Sequence, residues 1–112
     1  MKAEDERLIR RIIEFSDALA SELAKKGITA EAIKSDEYTQ WAISTPLYNI
    51  GEFTSHISPE LKAKHSEIPW AKIAGLRHRL VHDYPGTNWD IVVEVVFSSL
   101  PEYTMQLRTI LG

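Results

Sequence analysis

Residues 5–27 are DERLIRRIIEFSDALASELAKKG, and this stretch sets the first element of the fold. Its large apolar residues recur every three or four positions, which places them on one face of an α-helix: Leu8, Ile12, Phe15, Leu19 and Leu23. Gly27 follows two lysines, and glycine commonly ends a helix in the left-handed conformation. We therefore predict an amphipathic helix from about Asp5 to Lys26.

The next segment predicts a second long helix after a single turn at residues 29–33. The helix should begin with Ser35 or Asp36 as its cap. Its apolar face is formed by Ile43, Leu47, Ile50 and Ile57. Pro46 lies inside this pattern and removes one intrahelical hydrogen bond, so we expect either a kink there or two helices joined at residues 44–45.

Two proline-led starts follow. Ser58-Pro59-Glu60 combines a cap with proline at the first helical position and predicts a short helix that ends before Glu67. Ile68-Pro69-Trp70 opens another helix. Because Tyr84 precedes a proline and is disfavoured in helical geometry, this helix should end near His82 or Asp83, before a turn at Pro85-Gly86.

The last helix is predicted to begin at Thr87-x-x-Asp90, a variant of the capping box. Residues 91–96 alone would also fit a buried strand. The helical spacing continues well beyond them, and this favours one helix, with a bend expected at Pro101. The apolar stripe is Val92, Val96, Leu100, Tyr103, Leu107 and Ile110.

Length and composition agree with one all-α domain over residues 1–112. The chain is 44% hydrophobic and 26% charged, which is typical of a globular protein and not of a disordered one. It has no cysteine, so disulfides, thiolate metal sites and a thiol nucleophile are excluded. There is no apolar run of membrane-spanning length and no signal-peptide pattern, so we expect a cytoplasmic protein. We predict an up-and-down bundle of four main helices plus short helical turns.

Charge is distributed unevenly. Residues 61–82 contain five lysines and arginines against one acid, a local net charge of +4, whereas the remainder carries −7. Three of the four histidines also lie in this stretch. Such a surface can attract a polyanion, although an ordinary solvated face is the alternative.

The most informative functional pattern lies at the end of this basic stretch. His78 and His82 are four residues apart, so a helix places them on one face with Arg77 beside it. Tyr84 follows two residues after His82, where the helix is expected to end. An arginine, an imidazole and a phenol should therefore meet at an exposed helix end.

These residue types suit cleavage of RNA. A histidine can accept the proton of a ribose 2′-hydroxyl. An arginine can bind the phosphate through two hydrogen bonds and stabilise its growing negative charge. The nucleophile belongs to the substrate, so the chemistry needs no metal ion and DNA should not be cut.

The spacing alone leaves two alternatives. The residues can be purely structural, with Arg77 in a surface ion pair, His82 stabilised at a helix C-terminus and Tyr84 packing its ring. A zinc site built on His78 and His82 would need further ligands, such as His65 or Asp83, that the spacing does not dictate.

The segment IPWAKIAGLRHRLVHDY resembles the signature of the HepT-like toxins, a family of the HEPN superfamily of all-helical domains. That signature has Pro-Trp at the helix start, then Arg, a polar residue, an apolar spacer, His, any residue and Tyr. Here these are Pro69-Trp70, Arg77, His78, Leu80-Val81, His82 and Tyr84. Ile50-Gly51-Glu52 and Leu100-Pro101 also match the family, so the resemblance spans nearly the whole chain.

The resemblance implies a metal-independent endoribonuclease that is the toxin of a toxin–antitoxin pair. By position, Arg77 and His82 would be catalytic and His78 an auxiliary polar residue. Tyr84 would receive AMP from a partner, a minimal nucleotidyltransferase that neutralises the toxin. The family is typically a homodimer whose two motifs face each other across the interface, and no cofactor or membrane is implied.

One departure concerns His78, because the family usually has Asn or another small polar residue there. An inactive member is therefore a second hypothesis: a helical binding module that partners a nucleotidyltransferase without cutting RNA. A generic helical oligomerisation domain is a third. The presence of both Arg77 and His82 favours the enzyme.

Other residues have simpler expectations. Trp70 should anchor its helix in the core or the dimer interface, and Trp89 has a possible base-stacking role beside the site. Glu52 can either orient a motif residue or pair with a lysine. The arginines of the first helix, Arg7, Arg10 and Arg11, are expected to be surface or partner-contact charges.

Overall fold

The structure, a computed structural model, describes residues 1–81 (Val81 by its backbone alone) and residues 86–112. These residues form helices and connecting turns without any strand, which confirms the all-α prediction. No helix among them is long and apolar enough to cross a membrane. The helices are α1 Ala3–Lys26, α2 Ala30–Ser35, α3 Glu37–Ser55, α4 Pro59–Lys64, α5 Trp70–Ala74, α6 Leu76–Val81, α7 Trp89–Glu94 and α8 Leu100–Leu111, with a π-helical turn at Val95–Ser99.

The four predicted main helices correspond to α1, α3, the α5–α6 pair and the run from α7 to α8. Helix α1 packs against α3 and α8, and α3 also packs against α5 and α6. The core lies between these elements and is aliphatic apart from Trp70 and Tyr103. Its fully enclosed members include Ile9, Ile12, Ile33, Ile43, Leu47, Ile50, Ile73, Leu76, Val92 and Leu107.

Helix α1 has the predicted stripe and the predicted end. Leu8, Ile12, Leu19 and Leu23 are buried, while Phe15 is partly exposed and packs against Phe53 of α3 at 5.5 Å. Gly27 has φ +60° and its N–H bonds to carbonyls of the last turn. Left-handed geometry is open to glycine without a Cβ clash, which explains why the helix stops there.

Helix α3 starts at the predicted cap and runs through its proline. Asp36 accepts a hydrogen bond from the N–H of Thr39 at 2.9 Å. The helix is one continuous element with Pro46 inside, so the alternative of two helices joined at residues 44–45 is wrong. Full burial of Ile43 and Leu47 on either side of Pro46 offsets the roughly 3 kcal/mol that an interior proline costs.

The buried carboxylate of Asp5 connects the start of α1 to the start of α4. Asp5 is only 3% exposed, and its oxygens accept from the N–H of Ser58 at 2.8 Å and from its hydroxyl at 2.6 Å. Ser58 also caps α4 through the N–H of Leu61. The first turn of α1 is thereby tied to the start of α4.

The helix predicted from residue 70 onward is divided in two at Gly75. Trp70 is buried, and its indole N–H donates to the carbonyl of His65 at 2.9 Å, which fixes the helix start in the core as expected. Helix α6 resumes at Leu76. The predicted end near His82 or Asp83 lies outside the described residues.

The start of α7 corrects one prediction. Asn88, not Thr87, is the cap, because its side chain accepts from the N–H of Asp90 at 3.0 Å. The hydroxyl of Thr87 instead donates to the carbonyl of Arg79 at 2.9 Å. Thr87 is buried, and its hydroxyl is engaged by a carbonyl of α6, so it does not cap α7. The helix therefore begins one residue later than its local pattern predicts.

The last helix changes register before its proline. The N–H of Leu100 bonds to the carbonyl of Val95, five residues back, which is the π pattern. Pro101 then occupies the first turn of α8, where a missing N–H costs least. Residues 91–96 are helical, so the strand alternative is wrong.

Tyr103 of α8 lies at the centre of the bundle. It is fully buried, its hydroxyl hydrogen-bonds with that of Thr54 at 2.8 Å, and its ring meets Trp70 edge-on with centroids 5.9 Å apart. Burial raises the pKa of the Tyr103 phenol far above its ordinary value, so this tyrosine stays neutral.

Candidate active site

The candidate site is built where α3 crosses the start of α6. A Cβ placed on Gly51 would lie 2.9 Å from the backbone nitrogen of Arg77 and 3.1 Å from the carbonyl oxygen of Ile73. Real Cβ atoms do not approach backbone that closely, so only glycine allows this crossing. Gly51 therefore sets how near α3 comes to Arg77.

Glu52, the next residue, contacts the arginine side chain. Its Oε2 accepts from Nη1 of Arg77 at 3.4 Å. Its Oε1 lies 3.0 Å from Nε2 of His56, one helical turn later. The sequence left the role of Glu52 open, and the structure pairs it with the motif arginine and not with a lysine.

Arg77 remains available for a ligand. Half of its side chain, 50%, is exposed despite the contact with Glu52. A guanidinium has five N–H donors in a planar fork, so one long contact leaves most of its capacity for an anion such as a phosphate. If Arg77 is purely structural, the same contact with Glu52 is a surface ion pair and no ligand binds there.

The neighbouring motif residues are only partly placed. His78 and Arg79 are exposed on α6. The hydroxyl of Thr87 donates to the carbonyl of Arg79, so residue 87 lies next to the C-terminal end of α6. His82 and Tyr84, the predicted general base and modification site, lie outside the described residues, and their roles stay predictions.

The basic stretch includes cations with different surroundings. Lys72 of α5 pairs with Glu94 of α7 at 3.0 Å. Within the described part of the chain, neither Lys62 nor Lys64 has a carboxylate oxygen within 4.0 Å. Lys64 is exposed and Lys62 is half-buried, so part of the predicted positive charge is open to solvent.

Charges elsewhere behave as surface pairs. The three arginines of α1 each contact a glutamate of the same helix, and Arg11 also lies 5.2 Å from the ring of Phe15.

Trp89 is partly buried and packs against the core, which leaves less of its ring for stacking on a base.

Among residues 1–81 and 86–112, no group of three or more His, Asp or Glu side chains is arranged to hold a metal ion. The zinc alternative needs His82, which that range does not include. His65, the described residue among the further ligands considered, has its Nδ1 3.7 Å from Oε1 of Glu67.

A family model described as "Ribonuclease HepT-like" matches residues 6–110. This chain belongs to the HepT-like ribonuclease family. Three relatives of this HepT-like chain illustrate the range of similarity. A "Putative RNase" of Caldanaerobacter subterraneus subsp. tengcongensis is 37% identical over 86 residues, 77% of each chain. A "Probable ribonuclease HepT" of Thermococcus cleftensis is 34% identical over 74 residues, 66% of this chain and 67% of the relative. A "Putative RNase" of Methanocaldococcus jannaschii is 29% identical over 84 residues, 75% of this chain and 69% of the relative.

No solved structure matches this HepT-like chain significantly. Membership of this family supports a ribonuclease activity, which is the activity that the pattern of Arg77, His82 and Tyr84 predicted. Sequence reasoning missed His56, although its i, i+4 spacing from Glu52 was a usable signal. It also left open why glycine stands at position 51, because the close approach to Arg77 joins residues 26 positions apart.

Proposed function

We propose that this protein is a metal-independent endoribonuclease and the toxin of a toxin–antitoxin pair. Membership of the HepT-like ribonuclease family supports the activity. The observation that carries the site is Arg77, an arginine held by one carboxylate contact yet half exposed at the crossing of α3 and α6. We expect it in the cytoplasm, where its RNA substrate is found.

The reaction is a transfer within the RNA strand. His82 accepts the proton of the ribose 2′-hydroxyl, and the 2′-oxygen attacks the adjacent phosphorus. The bond to the 5′-oxygen breaks and leaves a 2′,3′-cyclic phosphate. The 5′-oxygen takes a proton from water, and His82 returns its own proton to the solvent. Arg77 binds the non-bridging phosphate oxygens and stabilises the added charge at pentacoordinate phosphorus. His78 is an auxiliary donor to phosphate, with a charge that follows pH.

The working unit is proposed to be a homodimer with the two motifs facing each other across the interface. Two copies of the basic stretch would then line one cleft wide enough for an RNA strand. The positive charge on residues 61–82 supports this location, since phosphate neutralisation supplies most of the non-specific affinity for nucleic acid.

The antitoxin is proposed to be a minimal nucleotidyltransferase that transfers AMP to the Tyr84 hydroxyl. The tyrosine oxygen attacks the α-phosphorus of ATP, and pyrophosphate leaves. The resulting phosphodiester carries a negative charge beside Arg77 and His82. It would occupy the phosphate site and repel the RNA backbone.

The decisive experiment is cleavage of a structured RNA by purified protein in EDTA, after intact mass has established that Tyr84 carries no nucleotide. Wild-type protein should cut, and the His82→Ala and Arg77→Ala variants should not, while all three keep the same helicity and oligomeric state. Cleavage by both variants would contradict the site assignment. Failure of unmodified wild type to cut any RNA in a broad panel would favour the non-catalytic module that only binds a nucleotidyltransferase.

A further inference from the structure

Glu52 uses both carboxylate oxygens within the site. Oε2 accepts from Nη1 of Arg77 at 3.4 Å, and Oε1 faces Nε2 of His56 at 3.0 Å. An ionised carboxylate can only accept hydrogen bonds, so Nε2 of His56 carries the proton and donates it. The side chains form a chain of contacts from imidazole to carboxylate to guanidinium.

The backbone around these three side chains is helical and closely packed. Helix α3 is continuous from Glu37 to Ser55 and buries Ile50 and Gly51 beside Glu52. Gly51 lies against the backbone of Arg77 and Ile73. The Cα atoms of Glu52 and Arg77 are therefore fixed relative to each other by packing, and the carboxylate has a defined place from which to direct the guanidinium.

The contact with Glu52 occupies one nitrogen of Arg77 and leaves its other hydrogen-bond donors available. The hydrogen bond to Glu52 involves one terminal nitrogen and is long for a charge-assisted pair, which usually measures about 2.7–2.9 Å. The remaining donors of the fork can bind two oxygens of one phosphate while Nη1 keeps its contact.

We propose that Glu52 is the positioning residue for Arg77, and that His56 fixes Glu52 in that role. The proposal rests on the proposed ribonuclease function, because it assigns a task to the arginine of that site. Glu52 touches neither the phosphate nor the ribose. It acts by limiting the orientations of the guanidinium before RNA binds, which lowers the entropic cost of reaching the transition state.

A carboxylate next to a phosphate site has two opposed effects, and these give a specific test. Positioning Arg77 raises kcat, whereas the negative charge of Glu52 repels the RNA backbone and weakens binding. Glu52→Gln keeps the side-chain shape and removes the charge. It should lower kcat by about 10- to 100-fold, as for a misplaced catalytic group, while KM for RNA stays the same or falls.

His56→Asn should change kcat in the same direction by a smaller factor. The matched control is Glu94→Gln, which removes a charge paired with Lys72, five positions before Arg77. Its kcat should match wild type. If Glu52→Gln lowers the unfolding temperature and changes kcat no more than Glu94→Gln does, Glu52 is only a structural residue.

A second readout is independent of cleavage. The guanidinium N–H signals of Arg77 in wild-type protein, followed by nitrogen-15 NMR, should show restricted rotation and slow solvent exchange, and Glu52→Ala, which removes the acceptor, should abolish both. Unchanged Arg77 signals would overturn the positioning role even if the protein cuts no RNA. Restricted signals in a protein that cuts no RNA would instead retain the contact and reject the proposed function.

Discussion

The backbone nitrogen of Arg77 lies 2.9 Å from where a Cβ on Gly51 would stand, so the site's arginine rests directly on a glycine of α3. The adjacent Glu52 reaches the guanidinium of the same arginine. One helix therefore sets both the position of the Arg77 backbone and the direction of its side chain. Packing and the geometry of the proposed site are coupled at this crossing.

Gly51→Ala should test that coupling. Its methyl group would meet the Arg77 nitrogen and the Ile73 carbonyl at 2.9 and 3.1 Å, so α3 and α6 must separate by a few tenths of an ångström. We expect a loss of about 1–3 kcal/mol of unfolding free energy, typical of overpacking, and a lower rate of RNA cleavage. Denaturant unfolding and cleavage assays measure the two effects. An alanine variant as stable as wild type would mean that the crossing is looser than described.

Asp5→Ala should be among the more damaging changes outside the proposed catalytic residues. It leaves the N–H and hydroxyl of Ser58 without the carboxylate that accepts from both. Loss of hydrogen bonds to a buried charged group predicts about 2–3 kcal/mol of lost unfolding free energy. The control is Glu6→Ala, next in sequence but exposed and paired with Arg10, which should cost less than about 1 kcal/mol. Equal losses for the two variants would refute the special role of Asp5.

The sequence predicted the helices well where one face is buried, as in α1, because a stripe of apolar residues requires burial on one side only. It failed at Thr87, since the competing use of that hydroxyl by Arg79 depends on a neighbouring helix end. The π turn before Pro101 was not predicted for a similar reason. Residues 91–100 are mostly apolar, so their pattern does not distinguish an α-helical from a π-helical turn, and packing against the rest of the bundle decides between them. The contact of Glu52 with Arg77 spans 25 positions, which no local spacing encodes.

Acid should weaken the protein partly through the cap of α3. The hydroxyl of Thr39, and then its N–H, donate to Asp36 and hold the pKa of that carboxyl below its ordinary value of 3.8. A carboxyl whose pKa is lowered on folding stabilises the native state at neutral pH, and this contribution is lost as pH falls below the ordinary pKa. Asp36→Ala should therefore lower the unfolding temperature more at pH 7 than at about pH 3.

Asp36→Asn separates capping from charge in the same experiment. Asparagine can still accept the N–H of Thr39 but does not titrate, so the difference in unfolding temperature between Asp36→Asn and Asp36→Ala should vary little across this range. If Asp36→Ala lowers the unfolding temperature equally at both pH values, the charged form of Asp36 contributes nothing beyond the neutral cap.

Tyr84→Phe should separate toxicity from its control. The variant keeps the aromatic ring and loses the hydroxyl that would receive AMP, so it should still cleave RNA and arrest growth, and the nucleotidyltransferase should no longer silence it. Growth of cells that co-express the partner, with intact mass of the purified toxin, measures both properties. In wild-type protein the mass should rise by one or more AMP units, whereas Tyr84→Phe should gain none. A Tyr84→Phe protein that the partner fully neutralises would show that the antitoxin acts by binding or at another residue. A Tyr84→Phe protein that no longer cuts RNA would instead give the phenol a place in the reaction beside Arg77.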